Sequence, residues 1–569
     1  MNKSLKRILA RYPMLYRIAS YIKYLNNILK CWGLIKKLSR FYNLESYKDK
    51  RVIFNLVRAE TFRPLLFESA LAIKLSNLGA NAKVLYDDGM LKHHDTIGDR
   101  DILSQKDILL KSKMKGLLLN NLPFYVKYSE LITKQEVENA SIIALKMIES
   151  NNFVYKNIDL KPYIVSSVTR FFRSAPELIK YELPYEKALK ESTENAIISV
   201  IVASNVERIL KPDIIVTSHG IYTTWGPFYE YFKRKGKRVI TYDFGGYKNN
   251  GVLFSQQGLV PNRCDDGFFK YWNGKNKENI GYIEKTVSSL MNKRFTNSFP
   301  DQESFMAFTN SNEVLPLSVK IALQNNKKLF ALFPNVEWDN SLTKADGIFN
   351  SSTQWIIETI KFFEKQEDKV LVIRAHPAEA TSMKTSKGVK YLIESTLHRN
   401  VRSIRNLIFI DSDYQLSSYL LFRYIKAGIV YNGTIGLEMM YKNIPVLIAG
   451  KAPYSKRGFT VDFDSKEEYF KYIDKTGEIL LYQQNHRNLL IKFLYFYFVI
   501  NEIPISFFDE KKKGVLKDKL SLKDIIADKN LTYIAETIIG KHQFFQEWYI
   551  NNKQEELLNL NESFKSGNG

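Results

Sequence analysis

Two stretches in the second half of the chain carry residue types that phosphate and sugar chemistry require. The first is Arg374–Ala375–His376–Pro377–Ala378–Glu379, which follows directly on an apolar run, Lys369 to Ile373. An Arg and a His at the carboxyl end of a parallel strand sit where open α/β sheets bind ligands. Arg presents a planar fork that matches phosphate, and His donates to an oxyanion or titrates near neutrality. A salt-bridged Arg and a capping His would read the same way. The second stretch opens with the apolar run Gly428 to Tyr431. It passes through Asn432–Gly433–Thr434 into an amphipathic segment, Ile435 to Lys442. Strand, glycine turn and helix start together make an anion site, where Gly433 and Gly436 let a phosphate approach the backbone. Glu438 lies one turn into that helix, where a carboxylate can accept bonds from sugar hydroxyls. The loop after the next strand, Pro445 to Ala449, adds Lys451, Lys456 and Arg457. The bland alternative is an ordinary βαβ crossover.

The first half has its own candidates. The strand Ala82 to Tyr86 delivers Asp87–Asp88–Gly89, followed by Lys92–His93–His94–Asp95. A plain strand-ending turn uses Asp and Gly as well, and adjacent histidines on one loop rarely both face one ion, so no metal site is expected. A later strand, Pro212 to Thr217, ends in Ser218–His219–Gly220–Ile221–Tyr222–Thr223–Thr224–Trp225–Gly226. A His and a Gly beside Tyr222 and Trp225 suit a sugar-binding loop, although a satisfied loop His fits equally. Lys248 lies past the next strand end, on the same side of the sheet.

Taken as a set, FPNVEWD (333–339), IRAHPAE (373–379), NGTIGLEMMYKNIPVLIAG and the following YSKRGFTVD resemble the bacterial capsule and surface-polysaccharide biosynthesis glycosyltransferases. Those include the Kdo-transferring capsule proteins. The resemblance runs in motif order over roughly residues 50 to 465 and is densest after 330. It implies a GT-B fold of two Rossmann-like domains, with a nucleotide-sugar held by the C-terminal half. It also implies that His376, Gly433 and Thr434 contact donor phosphate. Some relatives carry an acidic pair before Gly in which the Asp acts as general base, which Asp87–Asp88–Gly89 resembles.

The elements that must position these residues alternate strand and helix, the pattern of a parallel α/β sheet. Expected strands are 52–57, 82–86, 212–217 and 238–242 in the first half. In the second they are 327–333, 369–373, 407–411, 428–431 and 445–449. Helices are expected at 63–78 and 416–425. Residues 1–48 read as a basic amphipathic helical segment, with Leu5, Ile8, Leu9, Leu15, Ile18, Ile22, Leu25, Ile28 and Leu29 at helical spacing. A Rossmann-like acceptor domain at 49–300 is expected to carry a helical insertion at about 100–210, with the break near Asn297–Pro300. A nucleotide-sugar domain follows at 301–465. Residues 466–569 read as a helical segment with a polar tail, in which Leu490 to Ile500 forms a buried helix too short to span a bilayer.

Composition bounds the class. A chain of 569 residues, 45% apolar and 25% charged, is an ordinary globular protein with room for two or three domains. Two cysteines, Cys31 and Cys264, exclude a disulfide framework and fit a reducing cytosol. The net charge of +23 points to anionic partners. No nucleic-acid-binding signature accompanies it, so an anionic membrane surface and phosphorylated ligands are the expected ones. With the resemblance, which implies the activity and a fold that needs no metal clamp, the expectation is a metal-independent glycosyltransferase without a cofactor, cytoplasmic and peripheral on the inner face of the plasma membrane. Its donor site is Arg374, His376, Glu379, Gly433, Thr434, Gly436, Glu438, Lys456 and Arg457. Asp88 or His219 serves as base, and Tyr222, Trp225 and Lys248 contact a glycan or lipid-linked acceptor. Alternatives are a CMP-Kdo or CMP-sialic acid type transferase, a non-catalytic polysaccharide or lipid-precursor binding module, and a nucleotide-sugar epimerase.

Overall fold

Short apolar runs, most of them followed by a helix, build two sheets. The computed structural model describes residues 12–43, 50–57, 62–92, 105–256, 258–259, 266–275, 280–296, 314–338, 347–381, 388–475, 484–512, 515–518 and 520–550. The chain forms two units, one of residues 1–167, 186–260 and 500–569, the other of residues 168–185 and 261–499.

In the first unit the strands are β1 (Arg51–Leu56), β2 (Asn81–Tyr86), β3 (Tyr125–Lys127), β6 (Ile214–Ser218), β7 (Arg238–Phe244), β8 (Gly251–Ser255) and β15 (Ile503–Pro504). A small ribbon, β4 (Val154–Tyr155) with β5 (Ile158–Asp159), stands apart. The sheet order is β15-β8-β7-β6-β1-β2-β3. The β1 strand pairs in parallel with β2 on one side and with β6 on the other. The chain thus winds outward from β1 in both directions, and the reversal falls between β1 and β6. Crossover helices run over Phe62–Asn77 and Gly226–Arg234. The first is followed by Gly79 with φ +93, the left-handed turn that glycine adopts without steric cost. The helix Lys134–Ser150 starts at a reciprocal Thr133–Glu136 capping box. After Ile500 the chain returns to this unit, where β15 completes the sheet edge against β8.

The second unit is wholly parallel: β9 (Lys328–Phe333), β10 (Lys369–Arg374), β11 (Leu407–Ile410), β12 (Ile425–Val430), β13 (Val446–Ile448) and β14 (Val461–Asp462), in the order β11-β10-β9-β12-β13-β14. Here the reversal falls between β9 and β12, which pair from Ile425–Leu329 to Val430–Phe333. The central strands β9 and β10 are buried on both faces and so are apolar along their length rather than alternating. Phe330, Leu332, Leu371, Ile373, Ala427 and Ile429 pack with Trp355, Ile356 and Ile360 of the helix Ser352–Phe363.

The two Rossmann-like sheets and their α/β class are as read from the sequence. The stretch 100–210 is largely helical, as read, with β3 inside it as an edge strand beside β2. Two local expectations need correction. The segment 416–425 holds only a short helix, Ser418–Leu421, before β12 begins at Ile425. The helix expected at Leu490 to Ile500 instead runs Gln484–Tyr495 and widens into a π turn over Phe496–Ile500. Readings at Leu5, Ile8, Leu9, His93, His94, Asp95, Asn297–Pro300 and the tail beyond 550 lie outside the described residues. Among the described residues, no helix is long and apolar enough to cross a membrane.

Candidate functional site

In an open α/β sheet the crevice for a ligand lies at the carboxyl ends of the strands where the winding reverses. In the second unit that point is β9 beside β12. The loop after β9 begins Pro334–Asn335 and the turn after β12 begins Tyr431–Asn432. The Asn335 Nδ2 donates to the Asn432 Oδ1 at 3.3 Å, joining the two strand ends. Asn335 also steers its own loop, since its Oδ1 accepts from the Val336 amide at 2.9 Å. Beyond it, the buried Glu337 takes the Ser352 hydroxyl at 2.6 Å, tying the loop to the head of the helix Ser352–Phe363. Sequence reasoning singled out none of Asn335, Asn432 and Ser352. The paired asparagines at two strand ends were the available signal.

The glycine turn occupies this same rim. A Cβ on Gly433 would meet only the Ile435 Cγ2 at 3.8 Å, so the backbone there is approachable. Gly436 is glycine for another reason: a Cβ would lie 2.1 Å from the Tyr454 hydroxyl, which donates to the Gly433 carbonyl. Tyr454 therefore braces the turn from below. Thr434 precedes the helix Ile435–Tyr441, and its side chain makes no cap bond. Glu438 points away into the protein. It is 3% exposed and takes the Arg294 Nε at 2.7 Å and the Arg294 Nη2 as well. Arg294, on the helix Ile280–Phe295, is also buried and lies over the Phe498 ring at 5.5 Å. Arg294 is a partner the sequence did not disclose.

The Arg374 guanidinium, at the end of β10, donates to the carbonyls of Asp411, Tyr414 and Leu416. It ties the loop after β11 to β10. Burial lowers its pKa to about 10, against the pull of Asp413 and Asp411. His376 stands two residues on, half-buried, with its Nδ1 accepting from the Ala378 amide at 3.1 Å. In the neutral ring that bond assigns the proton to Nε2. Glu379 accepts from the Val389 amide at 3.2 and 3.3 Å. Burial pushes its carboxyl up to about 8, with Glu337 and Asp411 adding to the rise. Arg457 packs over Phe493 at 4.7 Å and donates to the Pro453 carbonyl at 3.0 Å. Lys456 pairs with Asp464 at 2.7 Å at an exposed corner.

In the first unit the reversal lies between β1 and β6, and His219 follows β6 directly. It is buried against Tyr222 and Trp225, whose rings stand edge-on to it with centroids 5.2 and 4.6 Å away. Those two rings are themselves buried, so in this structure they fix His219. The Ile221 amide approaches the His219 Nδ1 at 3.4 Å. The Asp87–Asp88 pair separates by role. The Oδ1 of the buried Asp87 takes the amides of Gly89, Met90 and Leu91 at 2.7–3.1 Å and holds the turn. The half-buried Asp88 accepts from the Ser129 hydroxyl at 2.6 Å. Because β1 lies between β2 and β6, Asp88 and His219 start from strand ends roughly 10 Å apart.

Lys248 belongs to a different construction. Successive amides of Gly246, Tyr247 and Lys248 converge on the Glu502 carboxylate at 2.7–3.2 Å, a backbone nest filled by the chain's own anion. A Cβ on Gly245 would lie 2.1 Å from a Glu502 oxygen, so only glycine fits. The Lys248 ammonium donates to the Glu502 carbonyl at 2.8 Å and lies over Trp548. Burial pushes it down to about 8, against Glu502.

Two sheets of reversed winding, the first mixed through the antiparallel β8 and β15 and the second parallel with a glycine turn and a paired asparagine rim, define a twin Rossmann-like α/β protein. Residues 316–497 match the family described as capsule polysaccharide biosynthesis protein, so the resemblance read from the motifs holds over that span of the second unit. Among solved structures, the chain is similar to the Thermosulfurimonas dismutans KpsC beta Kdo 2,4 transferase at 12% identity. That match covers 58% of this chain and 88% of that one, with a TM-score of 0.36. The beta Kdo 2,7 transferase of the same protein matches at 12% identity, over 57% and 88%, with a TM-score of 0.32. Methanocaldococcus jannaschii UDP-GlcNAc 2-epimerase matches at 10% identity, over 78% and 99%, with a TM-score of 0.26. The search of curated proteins gave no match.

Proposed function

We propose that the protein is a glycosyltransferase of surface-polysaccharide synthesis that takes a sugar from a nucleotide-sugar and passes it to a glycan or lipid-linked acceptor. The observation that carries this reading is the rim at the β9–β12 reversal. There Asn335 bonds Asn432 beside the open Gly433, within the span that matches the capsule-synthesis family, and His376 follows β10, the strand next to β9. In this reading Gly433 and Thr434 receive the donor phosphate on backbone amides, and the His376 Nε2 proton stabilises charge on the departing group. The reading needs neither metal nor cofactor. Its place is the cytoplasmic face of the membrane, where activated sugars and lipid-linked acceptors meet.

One observation favours a donor with a single phosphate, of the CMP-sugar kind. The cations expected at the site are bonded elsewhere: Arg374 to carbonyls, Arg457 over an aromatic ring, Lys456 to Asp464. A diphosphate leaving group would call for more positive charge than a monophosphate does. On the acceptor side we assign the base to Asp88 and the orienting role to His219, the groups that end β2 and β6. The test is consumption of CMP-, UDP-, GDP- and dTDP-sugars, read by mass spectrometry with and without oligosaccharide acceptors. Transfer to an acceptor supports the reading. Conversion of a nucleotide-sugar without an acceptor would instead make it an epimerase, and binding without turnover a non-catalytic module.

A further inference from the structure

The helix Pro13–Leu38 is apolar on two faces, and the fold uses one of them. Tyr16, Tyr24, Ile28, Cys31, Ile35 and Leu38 are buried against the first unit. Polar bonds lock that orientation. Arg17 pairs with the buried Asp107 at 2.8 Å, Tyr21 donates to Asp107 at 2.8 Å, and Tyr24 donates to the Lys111 carbonyl at 2.8 Å. The helix therefore cannot roll to hide its other face. That face carries Met14, Leu15, Ile18, Ile22, Leu25 and Leu29, between 39% and 76% exposed. Their spacing of three and four residues makes one continuous stripe, about 22 Å long at the helical rise. Single exposed apolar residues need no explanation, but a contiguous row of six marks an interaction surface.

Charge indicates what covers it. The helix contains no Asp or Glu. Lys23, Lys30 and Lys37, seven residues apart and all exposed, line one edge of the stripe. Lys36 lies at its far end, over the Trp32 ring at 5.0 Å. An exposed Tyr12 marks the near end. A lysine edge flanking an apolar face matches the depth profile of a bilayer interface for a helix lying in its plane, with long lysine stems reaching to the headgroups. A second copy of this chain would bring the same lysines together in a molecule of net charge +23, whereas anionic lipid neutralises them.

We infer that the stripe Met14–Leu29 is a docking face that lies in the plane of an anionic bilayer, with its apolar side chains in the headgroup–acyl boundary. The inference stands apart from the transferase reading, because none of the stripe residues is assigned to donor or acceptor. The test is flotation of the full chain with vesicles of pure phosphatidylcholine and of equimolar phosphatidylcholine and phosphatidylglycerol. The wild type is expected to float with the mixed vesicles, and less so at about 0.5 M salt, where screening shortens the reach of the lysines. The triple variant Ile18→Ser, Ile22→Ser, Leu25→Ser should lose at least about tenfold in partitioning. The charge variant Lys23→Glu, Lys30→Glu, Lys37→Glu should lose a similar factor. Both should keep the wild-type melting temperature and wild-type turnover on a soluble acceptor, since every substituted side chain is exposed. Absence of flotation, equal flotation on pure phosphatidylcholine, or unchanged flotation of the serine variant overturns the inference. So does a wild-type dimer in sedimentation equilibrium that the serine variant abolishes.

Discussion

The pair Arg294–Glu438 allows a prediction that separates two roles for Glu438. Both side chains are buried, and Glu438 takes two guanidinium bonds on one oxygen. Removing one partner leaves the other charge buried and uncompensated, which costs about 3–5 kcal/mol. For a unit of this size each kcal/mol lowers the melting temperature by about 2–4 °C, so Arg294→Ala should melt roughly 6–20 °C lower. Glu438→Leu should cost a similar amount, because it strands Arg294 beside Phe498. The double variant Arg294→Met, Glu438→Leu should recover most of the loss, since an apolar pair of similar volume removes both charges together. Differential scanning calorimetry of the four proteins completes the cycle. Singles that melt within about 2 °C of the wild type, or a double whose loss is the sum of the singles, would refute the buried pairing. Glu438 would then be free to serve a sugar hydroxyl, and Glu438→Gln would weaken donor binding without changing the melt.

Three further outcomes follow from individual contacts. Gly436→Ala drives a methyl into the Tyr454 hydroxyl and displaces the bond that braces Gly433, so donor affinity measured by calorimetry should fall while far-ultraviolet circular dichroism is unchanged. Glu379 has a folded pKa of about 8, above the unfolded value of about 4.3, so the protonated carboxyl stabilises the fold. That stability is fully present below pH 4.3 and is lost as pH rises through 8. The urea midpoint of the wild type should therefore drop relative to Glu379→Gln between pH 5 and 9, and parallel curves would contradict this. With a matched donor and acceptor, Asp88→Asn should lose about a hundredfold or more in turnover at nearly unchanged donor affinity, and His219→Asn should raise KM instead; normal turnover in Asp88→Asn would place the base elsewhere.

The strands were legible because most are apolar runs bounded by turn residues, and alternation with helices implied the parallel sheet of the second unit, while the antiparallel β8 and β15 of the first went unread. Short edges escaped notice: three residues, Tyr125–Lys127, hold too few positions to show a period, yet they extend the sheet beside β2. Motif positions were also legible, in that Arg374, His376 and the glycine turn do fall at strand ends. Their partners were not. Arg374 reads as a phosphate fork until the carbonyls of Tyr414 and Leu416, about forty residues on, are seen to occupy it. Glu438 reads as a sugar ligand until Arg294, 144 residues earlier, appears against it. The need for glycine at 245 was not legible either, because Glu502, from beyond the second unit, fills the space a side chain would need. Contacts at such separations leave no trace in local spacing, whereas periodicity and turn chemistry do.

The central claim is a nucleotide site at the β9–β12 reversal, and isothermal titration of CMP, UDP, GDP and dTDP tests it directly. The account predicts that one nucleotide binds the wild type, with CMP favoured. It predicts that Asn335→Ala and His376→Ala each weaken that binding by at least about tenfold, near 1.4 kcal/mol, while both variants keep the wild-type melt. Absence of binding by all four nucleotides, or wild-type affinity in both variants, would contradict it.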